Sequence, residues 1–233
     1  MRFLKRLAYG VVGTVLAAYL VFAIGLAALQ RIVRDNPRVE ESLEAHSTAP
    51  HAITHFDQGA ASFARRLELV AAATRSIELE FFIYDVDDAS RLLTQALIEK
   101  ARQGVQVRML VDFSAPVFQL KPAYAQVLGD AGVQVRYYNT SAIYRLVSTQ
   151  HRSHRKLLIV DGTTVLTGGR NIANDYFDLS DHYNFLDSDL EVTGPIVETV
   201  RGSFDVYWRS HLSAAPVPDP APSAAAARFF APN

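Results

Sequence analysis

His154-Arg155-Lys156-Leu157-Leu158-Ile159-Val160-Asp161-Gly162-Thr163-Thr164-Val165-Leu166-Thr167-Gly168-Gly169-Arg170-Asn171 is the stretch that organises the chain. An apolar run enters Asp161-Gly162, and a second β-rich run, Thr163 to Thr167, leaves it. Asp-Gly between two such runs is the strongest short-range hairpin signal and predicts a two-residue type I′ turn. In that register Val160 faces Thr163, Leu158 faces Val165, Lys156 faces Thr167 and His154 faces Gly169. Side chains alternate with period two along a strand, so His154 and Lys156 share a face. Gly168 and Gly169 opposite them remove bulk and permit close backbone approach, with Asn171 just beyond. The expected pocket holds an imidazole, an ammonium, an amide and bare backbone, an inventory suited to a phosphate diester. The plainer reading is an ordinary hairpin in which Asp161 serves only its turn. It leaves the glycine pair and the asparagine unexplained.

Working outward, the chain before this hairpin alternates strands and helices. Apolar residues at helical spacing (Phe63, Leu67, Val70, Ala71) predict an amphipathic helix from Ala60 to Ala73. Ser76 to Tyr84 begins with alternation and ends in a continuous apolar run, the pattern of a strand entering a buried sheet. Asp88 is placed to cap a helix from Ala89 to Gln103 that stops at Gly104. A strand from Val105 to Val111 ends in Asp112, a helix spans Lys121 to Ala131, and a third strand spans Val133 to Tyr138. Short connections between these elements predict parallel pairing in an α/β sheet. Beyond the hairpin, Leu190 to Thr193 reads as a further strand, and Pro195 opens a helix to Arg209 at its N1 position. The expected division is a membrane or signal segment over 1–30, a linker over 31–56, a catalytic domain over 57–212 and an Ala/Pro-rich tail over 213–233, of which Ala214 to Ala227 reads as disordered or a linker.

The 49% apolar content exceeds what a soluble domain needs, and one segment accounts for the excess. Ala8 to Leu29 carries no charge and is flanked by Arg2, Lys5 and Arg6 before it and Arg31 and Arg34 after it. Its length matches the roughly 20 residues that cross a bilayer, longer than the about 7–15-residue apolar core of a cleaved signal. An uncleaved single-pass anchor of a bacterial-type inner membrane is expected, with the bulk of the chain outside the cytoplasm; secretion after cleavage is the alternative. With no cysteine, thiol chemistry is excluded. A net charge of −1 gives no global electrostatic footprint for nucleic acid. His51 and His55 share helical spacing but lack an acidic companion, so they read as solvated loop residues rather than metal ligands.

The pattern H-x-K-x4-D-x6-G-G-x-N resembles the signature of the phospholipase D superfamily. The likeness extends over roughly Asp57 to Arg209. The strand Ile77 to Tyr84, the Gly104-Val105 start of a strand ending in Asp112, and Gly168-Gly169-Arg170-Asn171-Ile172 with Tyr176-Phe177 are similar to bacterial cardiolipin-synthase-type members. The resemblance implies a mixed sheet flanked by helices and a phosphodiesterase or phosphatidyltransferase working through a phosphohistidine. His154 would be the nucleophile. Lys156 and Asn171 would hold the non-bridging oxygens, with Gly168, Gly169, Arg155 and Arg170 contributing to substrate binding. Asp161 would support the site without touching phosphate. Asp187, with Asp189 as runner-up, would orient the imidazole. No metal or other cofactor is implied.

Two departures qualify the transfer. The family often has serine where Gly169 stands. It also pairs two such motifs, the second histidine acting as general acid, whereas His46, His51, His55, His182 and His211 all lack a lysine two residues on. The chain is therefore expected to resemble an N-terminal half, completed by a homodimer or by a second half. A phospholipid substrate is expected from the membrane segment and from a local basic cluster of Arg145, Arg152, Arg155, Lys156 and Arg170. A single-motif endonuclease on DNA or RNA, and a catalytically incomplete lipid-binding half, are the competing expectations.

Overall fold

The computed structural model describes residues 2–32, 49–113, 120–140, 152–217 and 224–231. Helix α1 (Arg2–Ile32) contains the stretch Tyr9–Ala28, with mean hydropathy 2.3 and none of it buried, long and apolar enough to cross a membrane. The remainder is a mixed sheet flanked by helices. Its strands are β1 (Ala52–Phe56), β2 (Ser76–Phe81), β3 (Gln106–Asp112), β4 (Gln134–Tyr138), β5 (Leu157–Val160), β6 (Thr164–Gly168), β7 (Asp189–Thr193) and β8 (Ser213–Ala214). Among the described residues they lie in the order β1-β7-β6-β5-β2-β3-β4-β8. β2, β3 and β4 run parallel, as the strand–helix–strand pattern requires, while every other pairing is antiparallel.

The alternation in β2 decides how the layers form. Ile77, Leu79 and Phe81 point into one core with Leu158, Val160 and residues of α2 (Gly59–Ala72), α3 (Asp88–Arg102) and α4 (Pro122–Asp130). Leu110, Tyr138, Leu157, Ile159 and Val165 line the opposite face, packed on Val197, Phe204 and Trp208 of α5 (Ile196–Arg209). Glu78 and Glu80 also lie on that second face, fully buried, and each needs a cation there. Arg108 Nη2 meets Glu78 at 3.0 Å while its Nη1 meets Asp205 of α5 at 2.7 Å. The same guanidinium lies over the Phe204 ring, 5.1 Å from its centre. A polar row thus runs beneath α5 and ends at the hairpin.

Several expectations are corrected. Asp87, not Asp88, caps α3, in a reciprocal box with Ser90. β2 ends at Phe81 because the chain then turns toward Ile172, with which Tyr84 makes an isolated bridge. Pro195 occupies the N-cap position of α5 rather than N1. Part of the segment read as linker is strand β1, hydrogen-bonded to β7; residues 33–48 lie outside those described. His51 is an exposed loop residue as expected, its Nε2 accepting the N–H of Ile196 at 3.1 Å, whereas His55, also exposed, is part of strand β1 rather than a loop. The tail is also ordered in part. β8 pairs with β4, and helix α6 (Ala224–Phe230) buries Ala226 and Phe230, the latter in the first core. Sparse apolar residues amid alanine and proline hid that helix.

The hairpin register departs from expectation by one residue. Val160 pairs with Thr164, Ile159 with Val165, Leu158 with Leu166 and Leu157 with Thr167. Asp161 (φ 53°) and Gly162 (φ 64°) both take left-handed backbone, as a type I′ turn demands, and Thr163 N bonds Val160 O at 3.0 Å. Thr163 is then left as an extra residue before the ladder resumes. A one-residue slip exchanges the faces of one strand, so Lys156 falls in line with Gly168 rather than with Thr167.

Candidate functional site

Loop residues 152–156 lead into β5 at the end of the sheet beside Glu80, and two buried acids fix them. Ser153 N donates to Asp112 Oδ2 at 2.7 Å, and its hydroxyl donates to Glu80. Arg155 forms an ion pair with the other Glu80 oxygen at 2.7 Å. Its Nη1 donates to Ser203 of α5 at 2.7 Å, and the guanidinium lies 4.3 Å from the centre of the Tyr207 ring. Burial pushes the Glu80 carboxyl up, against the pull of Arg155 and Ser153. Arg155 thereby reaches α5 at the end of the sheet, beside its neighbours His154 and Lys156.

His154 and Lys156 meet there. Lys156 Nζ lies 2.9 Å from His154 Nδ1 and 3.2 Å from Nε2, and it donates to the His154 carbonyl at 2.8 Å. The imidazole is exposed and packs on the Phe82 ring with centroids 4.9 Å apart. The lysine is buried, only 4% exposed. That burial lowers the ammonium to about 8, with the Asp187 carboxylate partly opposing the shift. His154 is also held below its ordinary value, first by desolvation and then by the charges of Lys156 and Arg152, with Asp112 opposing. An uncharged imidazole beside an ammonium, at the surface, can attack an electrophile whose negative charge the ammonium attracts.

Asn171 is buried, its Oδ1 accepting Ile83 N–H at 3.0 Å and its Nδ2 donating to the Tyr176 hydroxyl at 2.9 Å. Gly168 and Gly169 make room for acids: a Cβ on Gly168 would collide with Asp189 and the Ser188 carbonyl, and one on Gly169 with the Asp187 carboxylate. Asp187 comes close enough to act on Lys156, but its carboxylate accepts the N–H of Ser188 at 2.7 Å rather than bonding His154. Asp189, the runner-up, is fully buried, accepting from Ser62 Oγ at 2.7 Å and pairing with Arg66 at 3.1 Å and Arg170 at 3.2 Å. It holds β7 to α2.

Arg170 and Asp161 stand apart from the open site. Arg170 is 1% exposed, and its guanidinium donates to the carbonyls of Phe56, Asp57, Tyr176 and Asp187. That corrects its expected substrate contact, since a guanidinium with its donors engaged inside the fold is a structural clamp. Arg155 is similarly occupied by Glu80 and Ser203, while Arg145 lies outside the described residues. Asp161 lies at the far end of β5, roughly 20 Å from His154 at a strand's rise per residue. Its carboxylate accepts N–H bonds from Thr74, Arg75 and Ser76 at 2.7–3.3 Å, and the Thr74 hydroxyl at 2.9 Å. Partial burial pushes this carboxyl up, but those bonds prevail and bring it down to about 2. The motif aspartate is therefore a clasp between the hairpin turn and the α2–β2 loop.

The residues missed from sequence are the ones that hold the motif: Glu80, Ser153, Phe82 and Tyr176. Glu78 and Glu80 alternating with apolar residues were the available signal, because an acid on a buried strand face requires a partner. Among the described residues no group of three or more His, Cys, Asp and Glu could hold a metal ion.

A family model described as "Cardiolipin synthase, PLD-like domain" matches residues 67–208. Cardiolipin synthase A of Pseudomonas entomophila is 32% identical over 154 residues, covering 64% of this chain and 32% of its own length. The major cardiolipin synthase of Bacillus subtilis is 30% identical over 163 residues, covering 69% and 34%. The chain thus spans about a third of the length of these curated relatives. Among solved structures, phosphatidylserine synthase of Haemophilus influenzae aligns with TM-score 0.60 and 16% identity, covering 82% of this chain and 45% of that one. NucT from Helicobacter pylori aligns with TM-score 0.54 and 12% identity, covering 69% and 98%. At these identities the likeness to the solved structures is one of fold.

Proposed function

Since the chain belongs to the phospholipase D-like domain family of the cardiolipin synthases, we propose that it is a phosphodiesterase or phosphatidyltransferase acting on phospholipid through His154. The observation that carries this reading is the pairing of an exposed, charge-depleted imidazole with a buried ammonium 2.9 Å away. A ring nitrogen of His154 attacks phosphorus, and the P–N bond forms as the P–O bond to the leaving alcohol breaks. Lys156 and the Asn171 amide draw the non-bridging oxygens, stabilising charge that grows on them. A second histidine, from another copy or a second half, protonates the leaving alkoxide. It then takes the proton from water or an acceptor alcohol, whose oxygen attacks phosphorus and releases His154. Asp187 approaches the imidazole when substrate draws Lys156 away. Helix α1 holds the domain at a bilayer, with the catalytic part outside the cytoplasm.

The test is labelled phosphatidylglycerol presented in vesicles to the purified chain. Release or transfer of the phosphatidyl group is expected, with His154→Ala losing at least 1,000-fold, the upper part of the range about 10²–10⁴ for a single catalytic group. A single-motif nuclease is the second reading, favoured by the near-complete coverage of NucT by this one domain. The net charge of −1 weighs against it. Cleavage of plasmid DNA that depends on His154, without lipid turnover, would decide for it. Failure of both, at concentrations that saturate self-association, would leave a half-site that binds lipid without turnover.

A further inference from the structure

The sheet face beneath α5 is only half covered. Two cross-strand rows lie on it. Ile53, Val192, Val165 and Ile159 are register partners from β1 through β7 and β6 to β5, and Leu190, Thr167 and Leu157 form the next row toward the motif. α5 buries the inner ends of these rows, but at the outer end Ile53 is 64% exposed and Leu190 39%. The uncovered strip is concave. A depression of about 640 Å³, with mostly apolar walls, lies between β1, β6, β7 and the Pro195–Val200 side of α5. A second, of about 460 Å³, is lined by His154, Arg155 and Lys156 together with Ser203 and Tyr207. Thr167, Ile196, Thr199 and Val200 line both, so the two form one trough.

We infer that this trough takes an acyl chain of the phospholipid whose phosphate reacts at His154, an assignment that rests on the function proposed above. Its lining along α5, from Pro195 to Tyr207, spans about 18 Å at a helix's rise per residue. One end opens at the catalytic motif, where the phosphate must lie. The other opens at His51. An apolar tail with a charged head at one end matches that division of apolar wall and ammonium. Each methylene laid on the exposed ends of the two rows leaves water.

The experiment uses the full chain carrying His154→Ala, reconstituted in vesicles with phosphatidylglycerol that bears a photoreactive group near the end of one acyl chain. Labelling is expected on the β1, β7 and α5 peptides, falling at least fivefold with Val200→Trp, which fills the trough. Ile53→Asp, at an exposed position, should do the same without disturbing the fold. With His154 restored, Val200→Trp should lower turnover of long-chain phosphatidylglycerol at least tenfold relative to a soluble aryl phosphodiester. Labelling confined to α1 overturns the trough, whatever the turnover. So does unchanged labelling with an altered oligomeric state, which would assign the face to a second copy. Labelling of the trough in a wild-type enzyme that turns over no phospholipid would instead sink the proposed function and leave a lipid-binding groove.

Discussion

Lys156 Nζ stands 2.9 Å from Nδ1 and 3.2 Å from Nε2 of His154, so one ammonium reaches both nitrogens of the nucleophile. The pair sets a pH window. Neutral His154 is the reactive form, and its value is held below the ordinary one, so activity rises through the acidic side of neutrality. Lys156 loses its charge above about 8, and with it the pull on the phosphate. kcat/KM is expected to fall as pH rises through that value. Lys156→Arg, which stays charged, should retain reduced activity without the alkaline limb; a limb unchanged in that variant would contradict the assignment.

Asp161→Asn should act on stability and leave the chemistry intact. The carboxylate gathers bonds from three consecutive backbone N–H groups and a hydroxyl. Losing the charge should cost about 1.5–3 kcal/mol, the range for hydrogen bonds to a charged group, toward the lower end because the turn is partly solvated. The sign with pH follows from the depressed value. The contribution is complete above the unfolded value of about 3.8 and is lost as pH falls through about 2. Thermal melts of wild type and Asp161→Asn should therefore converge toward pH 2, while kcat at low temperature stays within about twofold at the cost quoted.

The two glycines should fail differently. Gly168→Ala places a methyl against the Ser188 carbonyl and the Asp189 backbone, neither of which can rotate away. A loss of about 1–3 kcal/mol by overpacking is expected. Gly169→Ala meets the Asp187 carboxylate, which can swing aside. The melting temperature should change little, but Lys156 would lose the charge that supports its protonation, and the alkaline limb should move to lower pH. Equal destabilisation by the two substitutions would contradict this contrast.

Glu80→Gln should weaken both the fold and the rate. It leaves Arg155 without its carboxylate partner 2.7 Å away and alters the bond that holds Ser153. Breaking a buried ion pair costs about 3–5 kcal/mol; the low end is expected because the Arg155 side chain keeps 24% exposure. A positioning role predicts a fall in kcat with little change in KM, and denaturant titration beside steady-state kinetics separates the two effects.

Much of this was legible in the chain. The parallel β2–β3–β4 core followed from strands and helices in strict alternation, and the Asp161-Gly162 turn announced the hairpin. Its register did not follow, because Thr163 is spent between turn and ladder, and nothing local marks a residue for that use. Arg170 was misread because a guanidinium beside a glycine pair looks like an anion ligand until β1 and Asp189 close around it from distant sequence. Glu80 went unassigned for a related reason: its partners Ser153 and Arg155 lie more than 70 residues away. Local pattern reports which face a side chain takes; long-range closure decides what it meets there.

The Asp161 clasp has a genetic consequence. A defect at His154 removes an atom that forms a bond, and no change elsewhere restores it. A defect at Asp161 removes only free energy of folding, and free energy contributed at any remote site is interchangeable with it. Second-site suppressors should thus be readily recovered for Asp161 variants, scattered through both cores, and should be absent for His154. Two letters of one short signature, separated by a single strand, would sort into opposite classes in a suppressor screen.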